Sequence, residues 1–362
     1  MPETVLAVIG LGYWGPNLLR NAWELEGARV AWICDRDPVA LERQGHRYPG
    51  VGMTPDIADV LADPEVDGLL VSTPISTHFE LGRRALEAGK HVFIEKPMAA
   101  EVSECEQLIA IARERSLCLM PGHTFLYSPP VVKIKEMLDA GELGKLHFGT
   151  STRVNLGIHQ GDASVVRDLA PHDFSILQYW FGDAAFVRAI ARASLVPDHL
   201  DVAFIDLGYD DQSLFHVEIS WLAPTKLRRT VLVGSEKMVV YDDTATEQLR
   251  VFDWGHDMIE PKTFGEFQLS YRSGDVLSPR LAADEPLSLE VADFAAAIRE
   301  GRDARATPEL GLEVVRLVEA TERSLDFNAA PVWLSRDPGQ QRREPDRRRS
   351  DGGMPIRWTN DQ

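Results

Sequence analysis

Short apolar runs alternate with amphipathic stretches along the first 125 residues of the chain. Runs of strand length stand at Thr4–Ile9, Arg29–Cys34, Gly68–Ser72, His91–Ile94 and Leu117–Met120. Apolar residues recur at helical spacing in Trp14–Glu26, Pro38–His46, Ile57–Leu61, His78–Ala88 and Ser103–Arg115. Strands that alternate with helices are typical of a parallel sheet covered on both faces. We therefore predict an α/β domain over residues 1–125.

The pattern changes after residue 125. Val131–Ala140 still has helical spacing, but the runs that follow are longer and have β character, with short turn signals between them. These runs cover residues 146–155, 184–195, 202–209, 213–222, 226–233, 237–241 and 247–252. The succession predicts a second α/β domain, residues 126–334, built on a large, mostly antiparallel open sheet.

Two helical patterns close this second domain, at Leu287–Arg299 and Pro308–Leu325, and we expect them to pack back on the body. The residues that follow, 335–362, are rich in Arg, Asp, Gly and Pro and poor in apolar side chains. Such a composition cannot bury enough apolar surface to fold, so we expect a disordered tail.

Composition limits the classes of function. The chain has 362 residues, 44% hydrophobic and 26% charged, as in ordinary globular proteins. Its formal net charge of −18 argues against binding to nucleic acid, whose phosphates an acidic surface repels. The same charge serves solubility or favours a cationic small molecule near the site. No apolar run approaches the roughly 18 residues of a membrane span. The N-terminus also lacks the features of a signal peptide, so we expect a cytoplasmic protein.

The chain contains three cysteines, Cys34, Cys105 and Cys118. They form neither a CxxC pair nor a metal-ligand spacing with histidine. We interpret them as buried or partly buried thiols in a reducing compartment, and we predict no metal site.

A glycine-rich turn follows the first predicted strand. Gly10, Gly12 and Gly15 match the GxGxxG pattern, and a helix is predicted to begin there. The first glycine permits the tight turn, the second lets the backbone approach a pyrophosphate, and the third lets helix and strand pack closely. The helix N-terminus then offers free N–H groups to the anion. We predict a dinucleotide site that also includes Tyr13 and Trp14 of this loop.

Asp35 ends the second predicted strand, 20 residues beyond Gly15. A carboxylate there accepts hydrogen bonds from the ribose hydroxyls of adenosine and repels a 2′-phosphate, which favours NAD over NADP. Arg36 weakens this preference, because an arginine can hold a 2′-phosphate or stack on adenine. We expect NAD as the cofactor, with NADP left open.

Glu95-Lys96-Pro97 directly follows the predicted strand His91–Ile94. Ligands of open α/β sheets bind in the crevice outside the carboxyl ends of the strands, so Lys96 is placed for chemistry. A solvated loop lysine beside a turn proline would occupy the same position, and position alone does not decide between the two.

A second polar cluster lies in Arg167–Asp173. Pro171 fits the first position of a helix, which would put His172 in the first turn. The positive end of the helix dipole disfavours an imidazolium there and keeps the ring a neutral proton acceptor. Asp168, four residues earlier, is placed to orient the ring or share its proton. A helix cap beside a hydrogen-bonded surface histidine is the alternative interpretation.

Taken together, these motifs resemble the Gfo/Idh/MocA family of nicotinamide-dependent sugar and cyclitol oxidoreductases over about residues 4–330. The motifs that carry the resemblance are GLGYWG at 10–15, STPISTH at 72–78, EKP at 95–97, GHTFLYSP at 122–129 and DLAPH at 168–172. EKP together with a later DxxxH is the specific part. The resemblance implies an N-terminal Rossmann domain that binds NAD(P). It also implies a C-terminal α/β domain whose open sheet often mediates homodimers or homotetramers.

The resemblance also assigns roles to individual residues. Lys96 would contact the substrate and the nicotinamide ribose, and Asp168 and His172 would assist proton transfer. The residues that would line the cofactor are Thr73, Pro74, His78 and Glu95. Arg167 departs from the aromatic residue of similar sequences and would place a cation near the nicotinamide end.

Two further stretches would shape the sugar pocket. Arg153 and Asn155 lie in TRVNLGIHQGD, and Tyr127 lies in TFLYSPPV. Both stretches look closest to family members that act on nucleotide-linked sugars or on sugar units of natural products. The acidic charge of the chain adds the hypothesis of an amine-bearing substrate, such as an aminoglycoside intermediate of antibiotic biosynthesis.

The expected activity is hydride transfer between a secondary ring hydroxyl or ketone of a sugar and nicotinamide. His172 would take the hydroxyl proton, and Lys96 would stabilise the developing alkoxide or itself be the base. Two alternatives stay open: an NAD-dependent glycosidase that recycles its cofactor, and a non-catalytic NAD-binding sensor. The intact EKP and DxxxH motifs argue against the sensor, which needs neither.

Overall fold

A computed structural model describes residues 3–157, 164–197, 199–258 and 269–334. Strands and helices alternate through the first part of the chain. The strands are β1 Thr4–Ile9, β2 Ala28–Cys34, β3 Gly52–Thr54, β4 Gly68–Val71, β5 His91–Glu95 and β6 Leu119–Gly122. The helices are α1 Gly15–Glu24, α2 Pro38–Arg47, α3 Ile57–Ala62, α4 His78–Glu87 and α5 Val102–Arg115. The predicted tail, 335–362, lies outside the described residues.

In the part of the chain that the structure describes, six parallel strands form the first sheet, in the order β3-β2-β1-β4-β5-β6. This is the strand order of a Rossmann domain, in which the direction of winding reverses between β1 and β4. Leu6 and Val8 of β1 join the core on the α1 face, whereas Ala7 and Ile9 join the core under α4 and α5. The parallel sheet covered on both faces is thereby confirmed.

The second sheet is mostly antiparallel, as predicted. Its strands are β7 Leu146–Leu156, β8 Phe186–Arg192, β9 Val202–Gly208, β10 Leu214–Ser220, β11 Leu222–Gly234, β12 Met238–Asp242, β13 Leu249–Met258, β14 Leu269–Leu277 and β15 Val332–Trp333. Their order is β14-β13-β12-β11-β7-β10-β9-β8-β15, and within the described part of this second sheet β7 with β10 is the one parallel pair. Strands β14 and β15 do not show in the hydrophobic pattern of the sequence.

The remaining described helices divide between the two sheets. They are α6 Pro129–Asp139, α7 Val165–Phe181, α8 Pro286–Glu300 and α9 Pro308–Asp326. Phe174 of α7 and Val314 of α9 lie in the core of the second sheet. Helix α8 packs on the first sheet, where Phe294 meets Phe93 edge to face with ring centroids 6.0 Å apart. None of the described helices has the length and apolar character of a membrane span.

The face of the second sheet opposite its helices exposes apolar side chains. Phe148, Ile190, Phe204, Leu214 and Trp254 are each between 42% and 55% exposed. Leu214 is in register with Phe148, and Ile190 with Phe204, so adjacent strands bring these side chains together. Exposed clusters of apolar side chains are common at protein interaction sites.

Candidate active site

The glycine-rich loop joins β1 to the N-terminus of α1. Gly10 has φ +91°, and a Cβ there would lie 2.7 Å from the Ser72 carbonyl oxygen. A Cβ on Gly15 would collide with the Gly10 carbonyl, so this glycine holds helix and turn in close contact. A Cβ on Gly12 would meet nothing within 4 Å. The loop therefore leaves open space beside Gly12, where a pyrophosphate can approach the backbone at the helix N-terminus.

Asp35 fixes the other side of this loop. Its carboxylate accepts the backbone N–H of Leu11 at 2.5 Å and that of Asp37 at 2.8 Å. The remaining lone pairs of the carboxylate are available to ribose hydroxyls. Arg36 is exposed, and Tyr13 is 90% exposed. The residues of this loop and of the end of β2 thus fit the adenosine and pyrophosphate parts of NAD.

His78 is buried behind the crevice and does not line its surface. Its side chain is 2% exposed, with Nε2 2.7 Å from the Thr73 carbonyl oxygen and Nδ1 2.9 Å from the Pro97 carbonyl oxygen. Burial lowers the pKa of His78, so the ring is neutral and one nitrogen donates at a time. Pro74 is exposed and Thr73 is half-buried. His78 therefore positions the loop that would touch the cofactor and ties it to the turn that carries Lys96.

Lys96 connects the first sheet to α7. It follows β5 and precedes Pro97 in a cis peptide bond. Its Nζ donates to the backbone carbonyl of Asp168 at 2.9 Å and to Oδ1 of the same residue at 3.2 Å. Oδ2 of Asp168 accepts the indole N–H of Trp221 at 3.2 Å. The Asp168 carboxylate therefore holds Lys96 and Trp221, and it does not orient the His172 ring as the sequence analysis expects.

His172 lies one turn beyond Asp168 on α7. Its ring meets the Phe125 ring edge to face, with centroids 5.2 Å apart. Burial lowers the pKa of His172 well below its usual range, and the positive charges of Lys96 and Arg153 lower it further. The ring is therefore neutral at pH 7 and able to accept a proton.

The start of α7 corrects the prediction made from Pro171. The helix begins directly after Ser164, whose Oγ accepts the backbone N–H of Arg167 at 3.3 Å, and Pro171 lies in the helix interior. A serine cap is the stronger start signal, because it satisfies an N–H that the helix leaves unpaired. Asp168 consequently occupies the first turn. His172 owes its neutral state to burial, not to the helix dipole.

Arg153 forms a buried ion pair in the wall of the site. Its Nε donates to Oδ2 of Asp173 at 2.6 Å, and the two side chains are 5% and 3% exposed. The guanidinium carbon also lies 4.5 Å from the centroid of the Phe125 ring. Asn155 is half-buried near the end of β7. Residues 158–163 of the predicted pocket loop lie outside the described part of the chain.

Tyr127 lies in a different place from the one predicted. Its side chain is 2% exposed, and its hydroxyl donates to Asp293 at 2.8 Å and accepts the Ala306 N–H at 3.2 Å. The Arg305 guanidinium covers the ring at 5.0 Å from its centroid. Helix α8 and the turn after it thus satisfy the hydroxyl. The structure makes Tyr127 a packing residue instead of a substrate contact.

Sequence analysis missed two residues of the same stretch, Phe125 and His123. Phe125 packs against His172 and Arg153, which places it in the site. His123 is 1% exposed, burial lowers its pKa to about 3, and neither ring nitrogen has a hydrogen-bond partner among the described residues. The run GHTFLYSP contains both residues, but the direction of each side chain follows from the short 3-10 helix Thr124–Tyr127, which no periodicity reveals.

Arg167 makes contacts that account for its charge without a cofactor. Its Nε and Nη2 donate to the two carboxylate oxygens of Glu322, both at 2.7 Å, and Nη1 donates to the Ala100 carbonyl at 3.0 Å. These bonds tie α7 to α9 and to the loop after β5. Arg167 therefore joins these elements through its ion pair, and its proposed place at the nicotinamide end stays a prediction.

Glu95 lies between the glycine-rich loop and the turn that carries Lys96. Its Oε2 accepts the backbone N–H of Lys96 at 3.2 Å, and the nearby Trp14 side chain lowers the pKa of the same carboxyl group. Burial raises the pKa of Glu95 to about 7, against the opposing effect of the Lys96 charge. One carboxyl group thus touches both the glycine-rich loop and the EKP turn.

The fold and the site define a class of protein, an oxidoreductase with a Rossmann nucleotide-binding sheet whose crevice carries a lysine, an aspartate and a histidine. Residues 5–123 match the family model described as "Oxidoreductase family, NAD-binding Rossmann fold". Residues 131–240 match the model described as "GFO/IDH/MocA C-terminal domain". The chain belongs to the GFO/IDH/MocA family, which confirms the resemblance, and its cofactor is NAD.

The chain is similar to dehydrogenases and to proteins of solved structure from several organisms. The chain is 30% identical over 223 residues to the scyllo-inositol 2-dehydrogenase (NAD(+)) of Bacillus subtilis (strain 168), and the match covers 59% of this chain and 63% of that protein. GenD2 from gentamicin A biosynthesis, solved in complex with NAD, superposes with a TM-score of 0.78 at 23% identity over 92% of this chain and 97% of its own. UDP-N-acetylglucosamine 3-dehydrogenase GnnA from Acidithiobacillus ferrooxidans superposes with a TM-score of 0.75 at 23% identity, over 90% of this chain and 99% of its own. At this identity the two structures show the fold alone.

The contrast between Gly12 and Gly15 tests the cofactor loop. Gly12→Ala should leave the melting temperature unchanged, because its Cβ enters open space, but should weaken NAD binding by at least ~10-fold, since the methyl group occupies the approach to the backbone. Gly15→Ala should cost ~1–3 kcal/mol of folding free energy, because its Cβ meets the Gly10 carbonyl. Thermal unfolding and calorimetric titration with NAD measure both effects. Wild-type NAD affinity in Gly12→Ala would place the pyrophosphate elsewhere.

Proposed function

We propose that the protein transfers a hydride between a secondary hydroxyl or ketone carbon on a sugar ring and NAD. The observation that carries the proposal is the contact of Lys96 Nζ with Asp168, at 2.9 and 3.2 Å, one helical turn from a neutral His172. NAD, when bound, supplies the hydride acceptor. The chain supplies a hydrogen-bond donor and a proton acceptor for one substrate oxygen, which are the groups that alcohol oxidation needs.

Each of the three residues has a proposed role. In the oxidation direction His172 takes the hydroxyl proton, because its ring is neutral. Lys96 donates a hydrogen bond to the same oxygen and stabilises the negative charge as it develops. Asp168 fixes the Lys96 ammonium at the end of β5. Lys96 is the second candidate for the base.

The proposed substrate is a sugar carried on a nucleotide or within an aminoglycoside-type natural product. Two proteins with the same fold support this class, since one is a UDP-N-acetylglucosamine 3-dehydrogenase and the other belongs to gentamicin A biosynthesis. The net charge of −18 favours a cationic substrate in general. Lys96, Arg153 and Arg228 surround His172 with positive charge, however. An amino group of the substrate would therefore lie away from the carbon that is oxidised.

Absorbance at 340 nm tests the reaction and the substrate class together. Purified protein with NAD or NADP and a panel of sugars, nucleotide sugars, cyclitols and aminoglycosides should give a rise with NAD for one nucleotide sugar or aminoglycoside class. A rise with cyclitols alone would replace the proposed substrate. Release of a free sugar without any net NADH would replace the proposed reaction with a recycled-cofactor glycosidase.

Lys96→Ala should lower kcat by at least ~10²-fold, since a positioned donor or base contributes typically ~10²–10⁴-fold. NAD affinity should change little in a calorimetric titration, because the glycine-rich loop is untouched. Lys133→Ala is the matched control, since Lys133 is 41% exposed on α6 and pairs with Glu136 on the same helix. Near-normal turnover in Lys96→Ala would remove this lysine from the chemistry.

We also infer that the exposed apolar face of the second sheet binds the same face of a second copy of the chain. The side chains that carry this inference are the half-exposed Phe148, Phe204 and Leu214, on adjacent parts of one sheet face. A twofold axis lets one such patch cover itself, as in most homodimers. The proposed assembly is therefore a homodimer or a tetramer built from it.

Phe204→Glu should convert the assembly to a monomer, because it puts a carboxylate into the covered apolar face. Light scattering after gel filtration gives the mass directly. Val39→Glu is the matched control, since Val39 is 66% exposed on helix α2, which belongs to the first domain. A Phe204→Glu variant with the wild-type oligomeric mass would show that this face is not the interface.

A further inference from the structure

Two buried carboxyl groups from distant parts of the chain, Glu95 and Glu290, interact electrostatically beside Lys96. Glu95 ends β5, and Glu290 on α8 is 0% exposed. Thr124 Oγ1 donates to Oε2 of Glu290 at 2.7 Å, and the Lys96 backbone N–H donates to Oε2 of Glu95 at 3.2 Å. Oε1 of each group is buried without a hydrogen-bond partner among the described residues. Buried polar atoms are normally paired, so both oxygens call for an explanation.

The two groups cannot both be ionised at neutral pH. Burial raises the pKa of Glu95 to about 7. Burial raises the pKa of Glu290 well above its usual range, and the charge of Glu95 raises it further. Like charges in a buried place are unfavourable, and such groups lose their protons in two steps that belong to the pair. Near neutral pH the pair therefore favours the state with one proton and one negative charge over the doubly ionised state.

The groups around the pair leave that negative charge without a fixed partner. Lys96 is nearest, but it is already paired with Asp168. His123, beside Thr124, is neutral because burial lowers its pKa to about 3. Asp293, one turn along α8, adds a like charge. The nearby Trp14 indole carries no charge.

The position of the pair relative to the fold indicates what its partner is. Glu95 stands at the carboxyl end of β5, on the crevice of the Rossmann sheet, directly before the lysine proposed to act on the substrate. The reacting end of the cofactor must come to that lysine, so the nicotinamide ring would lie near Glu95. The ring carries a positive charge in NAD⁺ and none in NADH. It can therefore balance the negative charge of the pair in one state only.

We propose that Glu95 and Glu290 form a proton store, which holds one proton in the NAD⁺ complex and two in the NADH complex. This inference rests on the proposed function, because it takes the nicotinamide end to lie beside Lys96. The electron pair and hydrogen of the alcohol C–H bond go to the nicotinamide, and the O–H proton is released. The glutamate pair takes up one proton, so the proton released from the alcohol stays in the protein. The pair then loses its negative charge as the ring loses its positive charge.

Proton uptake on binding tests the store without any substrate. The full chain is titrated with NAD⁺ and with NADH at pH 7 in phosphate and in Tris, whose ionisation enthalpies differ, and the difference in heat gives the protons taken up. NADH should take up more protons than NAD⁺, by as much as ~1 per site. The ratio of the Kd for NADH to the Kd for NAD⁺ should then rise by up to ~10-fold per pH unit above neutrality.

Glu290→Gln should abolish the difference in proton uptake between NADH and NAD⁺. The glutamine keeps the bond from Thr124, and its amide can donate to Oε1 of Glu95, so the remaining carboxylate stays ionised. Glu300→Gln is the matched control, an exposed residue at the end of the same helix that should keep the wild-type uptake. Equal proton uptake by NAD⁺ and NADH in the wild type, or an undiminished difference in Glu290→Gln, would overturn the store.

Thr124→Val provides a second variant that leaves both carboxyl groups in place. The Thr124 hydroxyl favours the ionised form of Glu290, so its loss should move the pH of maximal uptake upward. An unchanged pH of maximal proton uptake would show that Glu290 does not take part in the uptake. Failure of either cofactor to bind would contradict the proposed function itself. Binding of both with equal uptake would contradict only the store.

Discussion

The contact between the Lys96 ammonium and Asp168 is the point on which the site depends. Lys96 belongs to a turn of the first sheet and Asp168 to a helix of the second, so the reacting groups exist as a set only while the two are held together. A partly exposed ion pair contributes little to stability, so the surrounding bonds must fix its geometry. On one side His78 ties the Lys96 turn to the neighbouring loop. On the other, Trp221 holds the Asp168 carboxylate.

The sequence predicts those features of the structure that depend on residues close together along the chain. Strand and helix alternation up to residue 125 and the roles of Gly10 and Gly15 depend on neighbours along the chain, and the structure contains both. The sequence also names Lys96 and Asp168, which the fold brings together. It does not predict their pairing, because they come from different sheets. That bond replaces the expected link between Asp168 and His172.

The errors share one physical origin, contacts between segments far apart in sequence. Tyr127 is a plausible pocket residue until α8 satisfies its hydroxyl through Asp293. The sequence suggests a cation at Arg167, but in the fold this arginine is paired with Glu322 of α9. The sequence does not indicate that Glu290 is buried, since a glutamate on an amphipathic helix normally faces water. For Tyr127 and Arg167, a helix from the end of the chain determines the contacts of an earlier side chain.

Helix α8 also has a consequence for how the protein is made. Its Val291 and Phe294 lie in the same apolar core as Leu6 and Val8 of the first strand. On the ribosome, β1 emerges at the start of synthesis, but α8 emerges only after strands β1 to β14 have been translated. At ~5–20 residues per second this leaves one face of the nascent Rossmann sheet incomplete for on the order of 10 s. The amino-terminal half alone therefore lacks part of its apolar core, so a single cut after it would not leave a complete module.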